Sequence, residues 1–340
     1  MTTLFSPFAS KDLHVKNRIV LPPMCQYEVH KEDGIPTDWH FVHYVSRAVG
    51  GFGLIILEMT AVEPDGRITN RDLGLWSDEH IPAYKRIVNQ LHEYGAKAAI
   101  QLGHAGRKAT DAAIPVAPSA IPFDQASKVP QALTAEEIEQ QIDYFQQAAL
   151  RAVQAGFDTI EIHGAHGYLL HQFHSPLTNQ REDEYGRDLT RFGVKVVEAV
   201  KKVIPESMPL IMRVSAQEYV EGGYDVSYAI DICRAYKEAG IDIFHITSGG
   251  EGPIGSGGRP GVEAGYQVPL AQAVREALAV PVIAVGKLEN PADAARVVES
   301  EQADFVAIGR GALRNPFWAL HVAQAEGNKE VIPAAYQRAF

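Results

Sequence analysis

One unit repeats along the chain and constrains its fold more than any other feature. A helical stretch ends in glycine, an apolar residue and often aspartate, then runs at once into a short apolar strand. Glu93-Tyr94-Gly95 leads into Ala96–Gln101, Gln154-Ala155-Gly156-Phe157-Asp158 into Thr159–His163, and Glu238-Ala239-Gly240-Ile241-Asp242 into Ile243–Thr247. Gln302-Ala303-Asp304 leads into Phe305–Ile308 without the glycine. Glycine at such a place ends a helix by adopting the left-handed conformation.

The short apolar strands number eight: Arg18–Leu21, Leu54–Leu57, Lys97–Gln101, Thr159–Ile162, Leu210–Val214, Ile243–Ile246, Val282–Val285 and Phe305–Ile308. Continuously apolar strands predict a parallel sheet covered on both faces. Eight of them alternating with helices predict an α/β chain closed into a (β/α)8 TIM barrel, residues 1–340 forming a single domain. The intervening helices are legible too. Ile138, Ile142, Phe145, Ala149 and Ala152 share a face at helical spacing, behind a Thr134/Glu137 capping box. Ala229, Ile232, Tyr236 and Ala239 make a second face, and Asn290-Pro291 is a cap and first-turn pair. Residues before Arg18 are expected to cover the barrel bottom. Two stretches, Gly103–Leu133 after strand three and the glycine-rich Gly249–Gly265 after strand six, are too long for routine connections.

Charge and cysteine content narrow the function. A formal net charge of -11 argues against nucleic acid and anionic membrane surfaces as partners. No apolar run has the length to span a bilayer, and the first residues lack a signal-peptide pattern. Only Cys25 and Cys233 are present. That points to a reducing, cytoplasmic setting and excludes a four-cysteine iron–sulfur site within one chain.

Reactive groups of such barrels stand where the strands end. The stretch after strand four, His163-Gly164-Ala165-His166-Gly167-Tyr168, brings two imidazoles and a phenol within six positions. Together they can hold an oxygen and pass a proton. Strands seven and eight end in Gly286 and in Gly309-Arg310. Backbone N–H groups near a helix start plus an arginine make a phosphate site; a surface ion pair is the plainer reading of Arg310. Gln101 at the end of strand three and Arg213 on strand five could read the amide edge of a flat heterocycle and offset an anion on it, unless Arg213 pairs with Glu161. A phosphate site at one end and an amide reader in the middle suggest flavin mononucleotide (FMN).

The chain resembles the Old Yellow Enzyme family in its bacterial, cysteine-bearing, thermophilic-like branch. The resemblance rests on Leu13–Tyr27, Gly66-Arg67-Ile68-Thr69, Gln101–Lys108, His163–Leu169 and Ile308-Gly309-Arg310, in that order across nearly the whole chain. It implies non-covalent FMN, NADPH as reductant, and reduction of alkenes activated by carbonyl or nitro groups. It further implies that the backbone around Pro23 and Met24 meets the flavin, that Cys25 tunes its potential, and that Met59 packs near it through its main chain. Gln101 and Arg213 would bind its pyrimidine end. His163 and His166 would hold the substrate oxygen, Tyr168 would donate the proton, and Tyr27 and Lys108 would line the pocket. In that branch a C-terminal arginine enters a neighbouring subunit's site. Arg338, in a tail of about 327–340, matches it and implies a homodimer or homotetramer. The chain departs from the family at Arg187–Phe192, where it is shorter, and in its glycine-rich loop after strand six.

Competing readings stay open at this point. His163, His166, His171 and His174 could serve a metal-dependent hydrolase, although their spacing of three, five and three is not a usual zinc pattern. Cys25 could be a covalent nucleophile, but no base adjoins it in sequence. The barrel could bind flavin or a phenol without turnover.

Overall fold

The computed structural model describes residues 2–252 and 263–340. The central stretch of the glycine-rich loop, 253–262, therefore lies outside the described residues. Eight parallel strands form the barrel: β1 (Ile19–Leu21), β2 (Leu54–Ala61), β3 (Lys97–Gly103), β4 (Thr159–Gly164), β5 (Leu210–Ser215), β6 (Ile243–Thr247), β7 (Val282–Ala284) and β8 (Phe305–Ala307). Each pairs with its neighbour in sequence. Pairing of β8 with β1, and of β1 with β2 through Val20↔Leu54 and Leu21↔Ile55, closes the ring. The outer helices are α1 (Asp38–Val49), α2 (Ile81–Glu93), α3 (Ala135–Ala155), α4 (Arg191–Lys201), α5 (Val226–Ala239), α6 (Val268–Leu278), α7 (Pro291–Glu299) and α8 (Trp318–Ala325). The (β/α)8 architecture expected from the alternation is the one observed.

Local signals account for the element ends. Glu137 N donates to Thr134 Oγ1 at 3.2 Å, and Thr134 N to Glu137 Oε2 at 2.7 Å, so the capping box opens α3. Gly156 closes it at φ 92°, where a side chain would be strained. Asn290 accepts from Ala292 N at 2.9 Å ahead of Pro291.

Two apolar layers carry the fold. The larger lies between strands and helices; the smaller fills the barrel with Val20, Leu54, Ile56, Ala99, Ile211, Ile243, Ile283 and Phe305. An antiparallel hairpin, Phe8–Ser10 with Leu13–Val15, supplies the floor: Leu13 and Val15 belong to the inner cluster. The Arg18 guanidinium lies over the rings of Phe8 and Phe305, as a cation over aromatic faces. The N-terminal cover expected from the sequence is thus in place.

One irregularity matters for the site. The β2–β3 register slips between Leu57 and Met59, so Glu58 is an extra residue. Side chains of a strand alternate faces, and the bulge reverses that alternation. Glu58 turns outward to Tyr44 and His40 of α1, while Met59 turns the other way, against Gly103. The long excursion after β3 is not structureless: it carries a helical turn at Gly106–Lys108 and two short paired strands, Val116–Ala117 with Gln131–Ala132. The shortened segment after Asp183 forms a turn, Glu184–Arg187, capped by the Asp183 side chain.

Candidate active site

The turn leaving β4 is held by a dense set of hydrogen bonds. Ala165 N meets His163 Nδ1 at 3.3 Å, His166 N meets Ser215 Oγ at 3.0 Å, and Gly167 N meets His171 Nδ1 at 3.0 Å. Gln172 Nε2 donates to the Gly167 carbonyl at 2.8 Å, and Lys108 Nζ to that of His166 at 2.8 Å. His166 sits in the left-handed region at φ 59°, which costs energy in any L residue and persists because these partners over-determine it. The result brings three rings together: His163 lies 5.5 Å from His166 and 4.9 Å from Tyr168, centroid to centroid.

Their protonation follows from the surroundings. Burial, with the Arg213 charge nearby, holds His163 and His166 well below the ordinary histidine range, so both rings are neutral. Because His163 Nδ1 faces an N–H donor, its proton resides on Nε2. His166 Nε2 is engaged with Thr247 Oγ1 at 3.0 Å, and Thr247 in turn donates to Gln267 Oε1. Burial pushes the Tyr168 phenol up, which keeps its proton in place at neutral pH.

Below this cluster, towards the barrel axis, lie Gln101, Glu161, Arg213 and His245, all buried. Gln101 Nε2 donates to Glu161 Oε1 at 2.6 Å, and His245 Nδ1 pairs with Glu161 Oε2 at 2.7 Å. Arg213 does not close onto Glu161: it has no hydrogen bond or ion pair among the described residues, and its Nε is buried without a partner. A buried donor left unmade is costly, so this guanidinium is poised for a group from outside the chain.

Arg213 also lines a cavity with Pro22, Pro23, Met24, Gly286, Gly309 and Arg310. At its far end Gly309 N-caps the short helix Arg310–Arg314, and Arg310 is exposed with no partner among the described residues. A backbone cradle, a free arginine and, further in, an orphaned guanidinium suit a ligand that is anionic at one end and polar along one edge. FMN has that shape and charge, and the residues present fit it.

The other expected residues fall as follows. Met59 joins Ala105 and Ala109 in a small apolar cluster against which Cys25 and Tyr168 pack. Burial, reinforced by the Glu58 and Asp72 carboxylates, holds the Cys25 thiol well above its usual range; it is a neutral thiol, not a ready nucleophile. Tyr27 is partly exposed at the rim. Lys108 reaches the site's edge, but its ammonium is spent on the carbonyls of His166 and Gly250 and lies 5.1 Å from the Tyr168 ring centre. It clamps the turn rather than standing free for a ligand. Arg338 is exposed, in a tail that packs near Gly51 and Tyr94. Those residues precede β2 and β3, so the tail borders the face opposite this chain's own site.

His171 and His174 do not turn to the site. His171 Nε2 meets Glu218 Oε1 at 3.0 Å, and His174 Nδ1 meets Tyr236 Oη at 3.1 Å. His171, Glu218 and Glu251 are the cluster of possible metal ligands among the described residues, and neither His163 nor His166 belongs to it. His171 Nδ1 accepts from Gly167 N, which places the ring proton on Nε2 where a metal would need a lone pair. The hydrolase reading loses its ligand set.

Several residues of the site escaped sequence reasoning. Thr247, Ser215 and Gln267 orient His166; His245, with the Glu161 already named, underlies Gln101; Glu251 binds Arg107. A usable signal existed for one of them: His245 is the lone ionisable residue of its strand.

Comparison with known proteins agrees with this geometry. A model of the NADH:flavin oxidoreductase / NADH oxidase family matches residues 3–328. The NADPH dehydrogenase of Listeria innocua is 47% identical over 343 residues, covering 100% of both chains. That of Bacillus subtilis is 43% identical, covering 99% of both. Among solved structures, morphinone reductase superposes with a TM-score of 0.82 at 27% identity, over 95% of this chain and 90% of its own. The chain belongs to the NADH:flavin oxidoreductase / NADH oxidase family.

Proposed function

We propose that this protein is an ene reductase of the Old Yellow Enzyme type, holding FMN and using NADPH to reduce alkenes activated by a carbonyl or nitro group. The observation that carries the reading is the juxtaposition of two neutral imidazoles and a protonated tyrosine with a buried arginine that has no partner among the described residues. FMN, when bound, supplies the hydride chemistry that no side chain can. Gln101 and Arg213 would hold its pyrimidine edge, the backbone around Pro23 and Met24 its ring face, and Arg310 with Gly286 and Gly309 its phosphate.

The chain's own residues do the rest. His163 donates from Nε2 to the substrate's oxygen and draws electron density from the β-carbon. His166 can join it from Nδ1 only as the other neutral tautomer, whose proton is on Nδ1 and whose bare Nε2 accepts from the Thr247 hydroxyl. Tyr168 then gives its proton to the α-carbon. Neutral imidazoles suit the first task, because a hydrogen-bond donor stabilises developing negative charge without losing its proton.

We assign the whole of 1–340 to one domain in the cytoplasm, supported by two free thiols and by a family match over 3–328. Among the described residues no helix is long and apolar enough to cross a membrane. Arg338 lies away from its own chain's site, which supports its reaching a neighbouring subunit. The test of the reading is direct. Protein supplied with FMN should turn yellow, bleach under anaerobic NADPH, and regain its colour with 2-cyclohexenone; a bleached protein that the enone leaves unchanged would refute it.

A further inference from the structure

Why does Arg213 stay unpaired with a carboxylate so close? The β3–β4 register sets Gln101 opposite Glu161, and the β5–β6 register sets Arg213 opposite His245. The four side chains come from four consecutive strands, and the β4–β5 register sets Arg213 opposite His163, two positions beyond Glu161. A guanidinium and a carboxylate in a low-dielectric interior attract strongly and would normally close into a bidentate pair. Here the Glu161 oxygens are drawn the other way, one by Gln101 Nε2 at 2.6 Å and one by His245 Nδ1 at 2.7 Å. Arg213 feels the carboxylate's charge, yet it makes no ion pair with it.

We propose that Glu161 and His245 are positioning residues that set the electrostatics of the cofactor site: Glu161 offsets part of the Arg213 charge, and His245 holds Glu161 back so that the guanidinium stays open to the flavin. The inference rests on the reading that Gln101 and Arg213 meet the flavin's pyrimidine edge. Its consequence is a pair of opposite effects. Reduction adds negative charge to the flavin, so an uncompensated Arg213 favours the reduced form. Glu161→Gln removes the compensating charge while keeping volume, and should shift the flavin midpoint potential positive. His245→Leu frees the second carboxylate oxygen to swing onto Arg213, and should shift the potential negative. His245→Gln restores a donor to Glu161 and should bring the value back towards that of the unmodified protein.

The measurement is the midpoint potential of the flavin-loaded protein, by anaerobic reduction against a reference dye, with thermal unfolding as a check that each variant is folded. A role confined to packing would not give shifts of opposite sign. Potentials that move in the same direction, or do not move, in yellow folded variants would overturn this inference alone. If one variant does not retain flavin, the other decides, with His245→Gln as its control. Unmodified protein that stays colourless with added FMN would instead remove the cofactor reading, and this inference with it.

Discussion

The two ends of the proposed cofactor site are built on opposite principles. At the substrate end, the β4 turn has nearly every backbone group paired, its side chains are neutral, and burial sets their protonation. At the phosphate end, Gly286, Gly309 and Arg310 offer backbone N–H groups and one exposed cation without a partner among the described residues. The first arrangement fixes geometry to fractions of an ångström, as proton transfer requires. The second supplies charge that is strong wherever the phosphate oxygens settle. Damage at the substrate end should therefore appear in the rate of chemistry, and damage at the phosphate end in occupancy.

That contrast breaks most sharply at Tyr168. Replacing it with phenylalanine removes a proton donor and leaves the packing nearly intact. The alkene half-reaction should slow by roughly a hundred- to ten-thousandfold, the usual worth of a positioned acid. Reduction by NADPH, followed by the loss of flavin colour in a stopped-flow experiment, should change little. Equal loss in both half-reactions would show that the phenol holds the site together rather than donating a proton. At the other end, Arg310→Ala should weaken FMN binding by roughly ten- to hundredfold, the worth of one charge-assisted hydrogen bond. The dissociation constant of the unmodified protein should also rise with salt more steeply than the variant's. A variant that keeps its affinity but turns over slowly would reverse the assignment.

Arg338 sharpens the comparison from outside the chain. If it completes the substrate end of a neighbouring subunit, Arg338→Ala should raise the KM for an enone a few-fold and leave FMN content and the NADPH half-reaction unchanged. No change in KM would leave the arginine as an ordinary surface residue.

What could be read in the sequence, and what could not, divides along the same physical line. The barrel was legible because its signals are local: the glycine-ended helix leading into several of the strands, the Thr134/Glu137 box and the Asn290-Pro291 cap each act within a few residues. The β4 cluster was legible because its three rings come from one short stretch. The Glu58 bulge was not, since a register slip arises between two strands and leaves Leu54–Leu57 looking like any apolar run. Nor was the role of Lys108, whose partners His166 and Gly250 lie 58 and 142 positions away. Glu161 was singled out as a mate for Arg213, which was the right neighbourhood and the wrong bond: competition from Gln101 and His245 decides it, and only the closed barrel brings those together.

Lys108 provides the finest test, because pH can titrate the clamp without altering the fold. Burial lowers its ammonium to about 8 from an ordinary 10.5, with Glu251 opposing the shift and Arg107 adding to it. Below pH 8 the lysine is charged in folded and unfolded chains alike, and folding bears the cost of burying the charge. Between about pH 8 and 10.5 the unfolded chain binds more protons than the folded one, so this group makes stability rise with pH. The same loss of charge weakens the bonds to the His166 and Gly250 carbonyls and the contact with the Tyr168 ring, so substrate affinity should fall across that window. A thermal midpoint that rises with pH while enone affinity falls, so that KM rises too, with both trends flattened in Lys108→Met, is the expected result. If the variant shows the same pH trends as the unmodified protein, the pH effect originates elsewhere, and the clamp is held by geometry without help from charge.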